Sequence, residues 1–488
     1  MKKILVFALL LVSLLLLAAC GEKVDPNRPD FDIVKNGQSD YTVVVSSDAK
    51  KSVVSAAEDF IAAMKEKTGA ELILAKDGEF AETGHEILFG NTNRSDSETL
   101  FAELEEGDYR FAASGEKLVF AADDKTIDTL VARFWETVDT TEGLTLSKEL
   151  FEEYLVPVRT YVLGEVLDRV KVQGRHSVID NAITADWSGN GILFNAHCKN
   201  DVILTMNLIS LSPSQATGSY FTVYIDGVRQ PDRLLATGGR TEMKIAEGLA
   251  EGDHSFAVYK QSHVTQAGVN LESITLEGRL TERPADSELY IEFLGDSITA
   301  GYGTYAADNS TDQMSYPYTD GSQSYGFFCA EDLGADYWLC GKCSWGLLAG
   351  SGGETVPSIY KYINHARSKD LYDFSTRKLD VAVINLGTND SSQKLTGPKF
   401  LQAAIDFVND IREKNGKDVP IVFVYGMMND TGFSYLRKAA RDLGGEEAGI
   451  YTIEMPLSRS GGGNHPSGEE QKICGDKLAE FIKETVLK

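Results

Sequence analysis

Three short segments hold residue types that together can cleave an ester. Gly295-Asp296-Ser297-Ile298-Thr299-Ala300-Gly301-Tyr302-Gly303 follows directly on an apolar run, Leu289–Leu294, that reads as a strand. Ser297 then falls at a strand-to-helix turn, with its hydroxyl exposed and its own N–H free to face a bound oxygen. Leu386-Gly387-Thr388-Asn389-Asp390 stands at a second strand end, where the Asn389 amide can donate to a developing oxyanion. Asn464-His465-Pro466-Ser467 precedes the last helix, and His465 there can take the Ser297 proton and return it to a leaving group. Singly, the three residues read as a helix cap, a turn residue and a helix-start residue; together they describe nucleophilic acyl transfer.

The elements that must position them lie between 285 and 488. Strand runs Leu289–Leu294, Tyr337–Cys340, Leu379–Leu386, Ile421–Tyr425 and Ile450–Glu454 alternate with helical segments near Gln323–Leu333, Val356–Ala366, Pro398–Lys414, Phe433–Leu443 and Pro466–Val486. Pro398 and Pro466 suit first helical turns. The alternation predicts an α/β/α domain with a parallel sheet, whose ligands collect at the carboxyl ends of the strands. Residues 158–284 instead show short alternating runs (Gly191–Asn195, Val202–Leu208, Phe221–Ile225, Met243–Ile245, Ser255–Tyr259, Ile274–Leu276) with an Asp226-Gly227 turn, the pattern of a β-sandwich, read as a jelly roll. Residues 38–157 read as an α+β block: a strand Tyr41–Ser46, a helix capped by Ser47 and running to Lys67, strands Glu71–Leu74 and Glu86–Phe89, a hairpin Tyr109–Phe120 and a helix Thr126–Val138.

Gly-Asp-Ser-Ile-Thr, Gly-Thr-Asn-Asp and the C-terminal His-Pro, in order and at strand ends, resemble blocks I, III and V of the SGNH (GDSL-like) hydrolases. The resemblance implies a block II glycine whose N–H joins Ser297 and Asn389 in the oxyanion hole. The best local match is Gly346 in Ser344-Trp345-Gly346, with Gly341 the poorer candidate. A β-sandwich directly before such a domain, and the stretch Tyr318–Tyr325 after block I, resemble carbohydrate esterase family 2, which implies deacetylation of xylan and other plant polysaccharides. The α+β block loosely resembles the accessory domain that precedes the catalytic domain of several glycoside hydrolases.

One position departs from the SGNH pattern. The Asp usually found three residues before the histidine is Gly462 here. A triad carboxylate orients the imidazole and stabilises its cation, so His465 needs a backbone carbonyl or another side chain, with Asn464 and Glu454 as candidates. The resemblance then implies a Ser–His dyad. Tyr302 and Trp345 are candidates for an aromatic rim that stacks on sugar rings. Gly301-Tyr-Gly303-Thr-Tyr-Ala306 formally fits a dinucleotide motif, but it opens a polar loop rather than a helix. No metal or organic cofactor is implied. Cys198, Cys329, Cys340, Cys343 and Cys474 follow no disulfide framework, and Cys340-x-x-Cys343 has no partner pair to complete a zinc set.

Before these blocks come Met1-Lys2-Lys3, an apolar run Ile4–Leu17 and Leu17-Ala18-Ala19-Cys20. This is signal-peptide layout, and its ending resembles the lipobox of bacterial lipoproteins, which implies a signal over residues 1–20 cut before Cys20, a lipid anchor to the membrane on Cys20, a tether over 21–37 and an extracytoplasmic location. The 488 residues carry 47 Lys and Arg against 73 Asp and Glu, a net charge of −26, which argues against nucleic acid as a partner. The expectation is a lipid-anchored serine esterase acting on an acetylated carbohydrate. The alternatives are an esterase on peptidoglycan or lipid acyl esters, or a surface lipoprotein that binds glycans without catalysis.

Overall fold

The computed structural model describes residues 30–212, 217–310 and 316–488. The signal segment, the Cys20 lipidation site and the first part of the tether lie outside the described residues. The chain divides after Pro157 into two compact units.

The first unit holds a six-stranded sheet whose strands Ile73–Lys76, Thr42–Val45, Glu86–Phe89 and Lys117–Ala122 run parallel, with Tyr109–Ser114 and Phe151–Tyr154 added antiparallel. Helices Lys51–Thr68 and Ile127–Thr137 bury Phe60, Met64, Leu130 and Phe134 in one aromatic core with Phe89, Phe111 and Phe120. Two expectations need correction. Phe31–Lys35, read as tether, is a strand paired antiparallel with Gly143–Leu146, and Phe31, Ile33 and Val34 are buried. Ser47 is not the helix cap: its N–H and hydroxyl both donate to Asp77 Oδ1, at 2.8 and 2.9 Å, and the helix begins later, at Lys51.

The second unit joins an all-β region to an α/β region. The β region is a ten-stranded antiparallel network built on three long strands, Gly191–Ile209, Gly239–Lys260 and Gly268–Leu280. Runs that read as separate short strands are continuous. The register shifts on either side of Asn200, whose φ of 62° places a left-handed residue inside the first long strand. Ile192, Phe194, Ala196, Val202, Leu204 and Met206 of that strand all enter one core.

In the α/β region five strands, Tyr290–Gly295, Asp336–Gly341, Val381–Asn385, Ile421–Tyr425 and Ile450–Glu454, form a parallel sheet in the order second, first, third, fourth, fifth. Continuous runs such as Val-Ala-Val-Ile are what a sheet buried on both faces requires. Alternation along each strand feeds two cores. Ile291, Phe293, Leu339 and Val383 pack with Tyr325, Cys474 and Leu478 of helices Tyr325–Leu333 and Gly468–Phe481. Leu294, Trp338 and Ile384 pack with Phe400, Phe407 and Leu436 of helices Pro398–Asn415 and Phe433–Asp442. The strand order reverses between the first and third strands, the place where a ligand crevice forms in such sheets, and Ser297 and Asn389 follow those two strands.

The helix expected over Val356–Ala366 is only Val356–Ile359. Beyond it, carbonyls serve side chains from the β region instead of helix N–H groups: Tyr360 and Tyr362 accept from Arg175 Nη1, and Ile363 accepts from Trp187 Nε1 at 2.8 Å. The last helix starts after Pro466, not on it. Ser467 is its cap, in a capping box with Glu470.

A buried ion pair ties the two regions of this unit together. Glu292 sits among the apolar residues of the first strand and is fully buried. It receives Arg175 Nη2 at 2.8 Å, Tyr290 Oη at 3.1 Å and Tyr360 Oη at 2.7 Å. The guanidinium lies 3.7 Å from the Trp338 ring centroid and 4.0 Å from that of Tyr372. Removing one member of a buried pair strands the other charge, so Arg175→Met should destabilise the unit by about 3–5 kcal/mol. Urea unfolding monitored by tryptophan fluorescence measures this, and an unchanged midpoint would contradict it.

Candidate active site

Ser297 lies in the turn that follows the first sheet strand, with its carbonyl accepting from Tyr302 N–H at 3.0 Å. Among the described residues its own N–H has no internal acceptor. Two buried polar side chains fix this turn. Gln471 Nε2 donates to the Ile298 carbonyl at 3.0 Å, while its Oε1 accepts from Tyr325 N–H at 2.8 Å. Thr299 Oγ1 and Tyr325 Oη are 2.9 Å apart.

His465 Nε2 stands 2.7 Å from Ser297 Oγ, and both residues are buried. Its Nδ1 is 3.0 Å from the carbonyl oxygen of Gly462. A carbonyl only accepts, so Nδ1 carries the proton and Nε2 presents a lone pair to the Ser297 hydroxyl. The position that lacks a carboxylate therefore supplies the orienting acceptor from its main chain. Neither Asn464 nor Glu454 serves: the Asn464 side chain instead accepts from Asn309 Nδ2 at 3.2 Å. Burial holds the His465 imidazole below its ordinary pKa of 6.5, opposed by hydrogen bonds to the carbonyls of Gly462 and Gly463. The Tyr302 ring meets the imidazole edge-on at 5.1 Å.

The segment bearing His465 is braced at both ends. Glu470 accepts from the N–H groups of Arg459, Ser460 and Ser467 at 3.2, 3.0 and 2.9 Å. Gly462 N–H donates to the Gly303 carbonyl at 2.9 Å. Gly303, at φ 76°, leaves no room for a side chain: a Cβ there would come within 2.5 Å of the Gly462 oxygen.

Asn389 reaches the site, but its amide is engaged. Nδ2 donates to Asp296 Oδ2 at 3.1 Å and to the Trp345 carbonyl at 2.8 Å. Asp296 is fully buried, and burial raises its carboxyl to about 7, with the Ile298 N–H opposing and the nearby Asp390 charge adding to the rise. Gly346 does not fill the role expected of it. Its N–H donates to the Ala349 carbonyl at 2.8 Å, closing a turn. The glycine is required for another reason, since a Cβ at 346 would lie 1.9 Å from Asp390 Oδ2. Asp390, fully buried, staples the turn: its carboxylate accepts from Leu347, Leu348 and Ala349 N–H at 3.0, 2.7 and 2.8 Å. Trp345 is not a rim residue. It is buried in the core, 5.4 Å from the His365 ring, with Lys342 Nζ 4.9 Å from its own. Tyr302, half-buried against His465, keeps a place at the site.

Sequence reading missed Asp390, Glu470 and Gln471. Glu470 was detectable, because Ser467-x-x-Glu470 is a capping-box spacing. Asp390 stands in the Gly387-Thr388-Asn389-Asp390 motif, but its contacts to residues 347–349 and those of Gln471 to Ile298 and Tyr325 are long-range and leave no local signal.

Residues 293–467 match the GDSL-like Lipase/Acylhydrolase family. The span runs from the first strand through His465. The cellulase/esterase CelE of Acetivibrio thermocellus is 28% identical over 327 residues, which are 64% of this chain and 39% of that protein. An acetylxylan esterase / glucomannan deacetylase of Cellvibrio japonicus is 25% identical over 214 residues, 40% of this chain and 59% of its own length. The chain thus spans less than two thirds of either relative. Among solved structures, a family two carbohydrate esterase from Clostridium thermocellum in complex with cellohexaose superposes with a TM-score of 0.58 at 26% identity, covering 64% of this chain and 98% of that one. An acetyl xylan esterase, Est2A, from the rumen bacterium Butyrivibrio proteoclasticus shares the fold, with a TM-score of 0.60 at 18% identity over 67% of this chain and 98% of that one. The C-terminal region is similar to GDSL-like hydrolases and, with the β region before it, resembles carbohydrate esterase family 2.

Replacing Asp390 with Ala removes the acceptor of three backbone N–H groups, at a cost of about 3 kcal/mol. Asp390→Ala should therefore lower the denaturation midpoint and loosen the turn that holds the Trp345 carbonyl against Asn389. Urea unfolding reads the first effect and near-ultraviolet circular dichroism the second; no change in either would refute the stapling role.

Proposed function

We propose that this chain is a serine carboxylic ester hydrolase that removes acetyl groups from a polysaccharide or oligosaccharide. The observation that carries the proposal is the 2.7 Å contact between Ser297 Oγ and His465 Nε2, with Nδ1 committed to the Gly462 carbonyl. The similarity to carbohydrate esterases supports the ester and the sugar.

Ser297 Oγ attacks the acetyl carbonyl as its proton passes to His465 Nε2. The Ser297 N–H and the Asn389 amide stabilise the tetrahedral oxyanion, the amide exchanging one of its internal acceptors for the charged oxygen. Collapse breaks the bond to the sugar oxygen, which takes the proton from His465. Water then attacks the acetyl-enzyme, giving its proton to His465, and acetate leaves as Ser297 is reprotonated. The pair works as a dyad, with a peptide dipole where a carboxylate would otherwise stand.

In the same reading the all-β region is a jelly roll. Leu17-Ala18-Ala19-Cys20 marks lipid attachment at Cys20 and an extracytoplasmic, membrane-anchored protein. Among the described residues no helix is long and apolar enough to cross a membrane.

Two measurements test the proposal. Ser297→Ala should lower acetate release from acetylated xylan, and hydrolysis of 4-nitrophenyl acetate, by at least about 10³-fold. Wild-type rates in that variant would sink it. The base must be neutral to accept a proton, and its pKa is lowered by burial. Activity should therefore persist as pH falls below 6.5, the ordinary imidazole value, and disappear only as His465 protonates at lower pH. An acid limb of kcat/KM centred above 6.5 would contradict this assignment.

A further inference from the structure

The backbone that orients His465 is itself held from outside the hydrolase domain. Gly462 N–H donates to the Gly303 carbonyl at 2.9 Å, and Gly468 N–H donates to the Thr304 carbonyl at 3.2 Å, so residues 303–304 brace the histidine segment from both sides. Just upstream, the Gly301 carbonyl accepts from Asp320 N–H at 2.9 Å. Asp320 is fully buried. Its Oδ1 accepts from Ser322 N–H and Oγ at 2.8 and 2.6 Å, and its Oδ2 accepts from Gln323 Nε2 at 3.3 Å. All of these donors are neutral. Among the described residues, the one cation in contact with Asp320 is Arg229 of the β region, whose Nη2 lies 3.1 Å from Asp320 Oδ2 and 3.2 Å from Tyr305 Oη. Four residues on, Arg233 lies over the rings of Tyr305 and Tyr220, at 3.8 and 4.2 Å, and donates to the Pro317 carbonyl at 2.9 Å.

We propose that Arg229 is a positioning residue for His465, acting through Asp320 and the Gly301–Thr304 backbone. The proposal rests on the reading of Ser297 and His465 as the esterase pair. Its physical basis is the cost of a buried carboxylate without a counter-charge. Once either partner of the pair is gone, the other has no counter-charge and must shift toward water. That shift moves the peptide whose N–H holds Gly301, and with it the rail against which Gly462 is set. A base displaced by a fraction of an ångström loses rate, not affinity for a small substrate. The β region would then be part of the catalytic apparatus, although it contributes no atom to the reaction.

The test uses the full chain. 4-Nitrophenyl acetate hydrolysis gives kcat and KM. The rate of inactivation by paraoxon reports the dyad directly, since Ser297 Oγ bonds to phosphorus, 4-nitrophenolate leaves and His465 takes the hydroxyl proton. In Arg229→Met, kcat and the inactivation rate should both fall about tenfold or more, with KM within about twofold. Arg229→Lys, which keeps the cation, should recover most of both losses. Arg240→Ala, which removes an exposed arginine of the same region paired with Glu272, should match wild type. Should Arg229→Met fail to fold, Asp320→Asn carries the test with the same expected losses. The proposal is overturned if the foldable variant keeps wild-type kcat and inactivation rate, if KM moves in place of kcat, or if Arg229→Lys loses as much as Arg229→Met. Those results would leave the esterase reading intact, whereas wild-type hydrolysis by Ser297→Ala would remove it.

Discussion

A neutral histidine has two tautomers, and only one of them can accept a proton from Ser297 through Nε2. In this protein that choice follows from the hydrogen bonding of His465 Nδ1–H, chiefly to the carbonyl of Gly462. A carboxylate in this place would do two things: fix the ring, and attract the positive charge that forms on it. A peptide carbonyl fixes the ring equally well but brings only a dipole. The precision that charge attraction does not provide must come from rigidity. That accounts for the density of main-chain bracing around residues 459–470, where Glu470 alone receives three backbone N–H groups and Gly303 fits too closely against Gly462 for any side chain.

Rigidity of this kind is built from both faces of the sheet and from the β region beyond it. The first strand alternates strictly, sending Ile291 and Phe293 to one core and Leu294 to the other. Glu292, on the same face as Leu294, is the exception that links domains: it carries a charge into the interior and finds Arg175 there. A buried pair of this sort contributes little net stability compared with an apolar replacement. What it does contribute is register. The two regions can meet only where the guanidinium, the carboxylate and the ring of Trp338 coincide.

Much of this was legible in the sequence. The five strands of the parallel sheet emerge from runs of β-branched and apolar residues almost at their true limits, and Ser297 and His465 could be paired because a chemical role demands both. Other features carried no local signal. Phe31–Lys35 becomes a strand only because Gly143–Leu146, more than a hundred positions away, offers an edge. The helix over Val356–Ala366 had the right periodicity, but tertiary donors from Arg175 and Trp187 claimed its carbonyls. Gly346 illustrates a different gap. A glycine beside the site invites the role of backbone donor, yet the structure needs its missing side chain to admit Asp390 and turns its N–H inward. Sequence pattern reveals which atoms are available, not which are already spoken for.

The replacement of a side-chain acceptor by a main-chain one also alters how the site can be lost. A triad carboxylate disappears with one codon change. The carbonyl at position 462 belongs to every amino acid, so no substitution there deletes it; a new residue alters the local shape and leaves the acceptor in place. The vulnerable points shift to Gly303, where bulk would push the strap away, and to the length of the 459–467 segment, where one inserted or deleted residue would carry the oxygen out of reach. In genetic terms, the orientation of the His465 ring tolerates changes of letter and is exposed to changes of count.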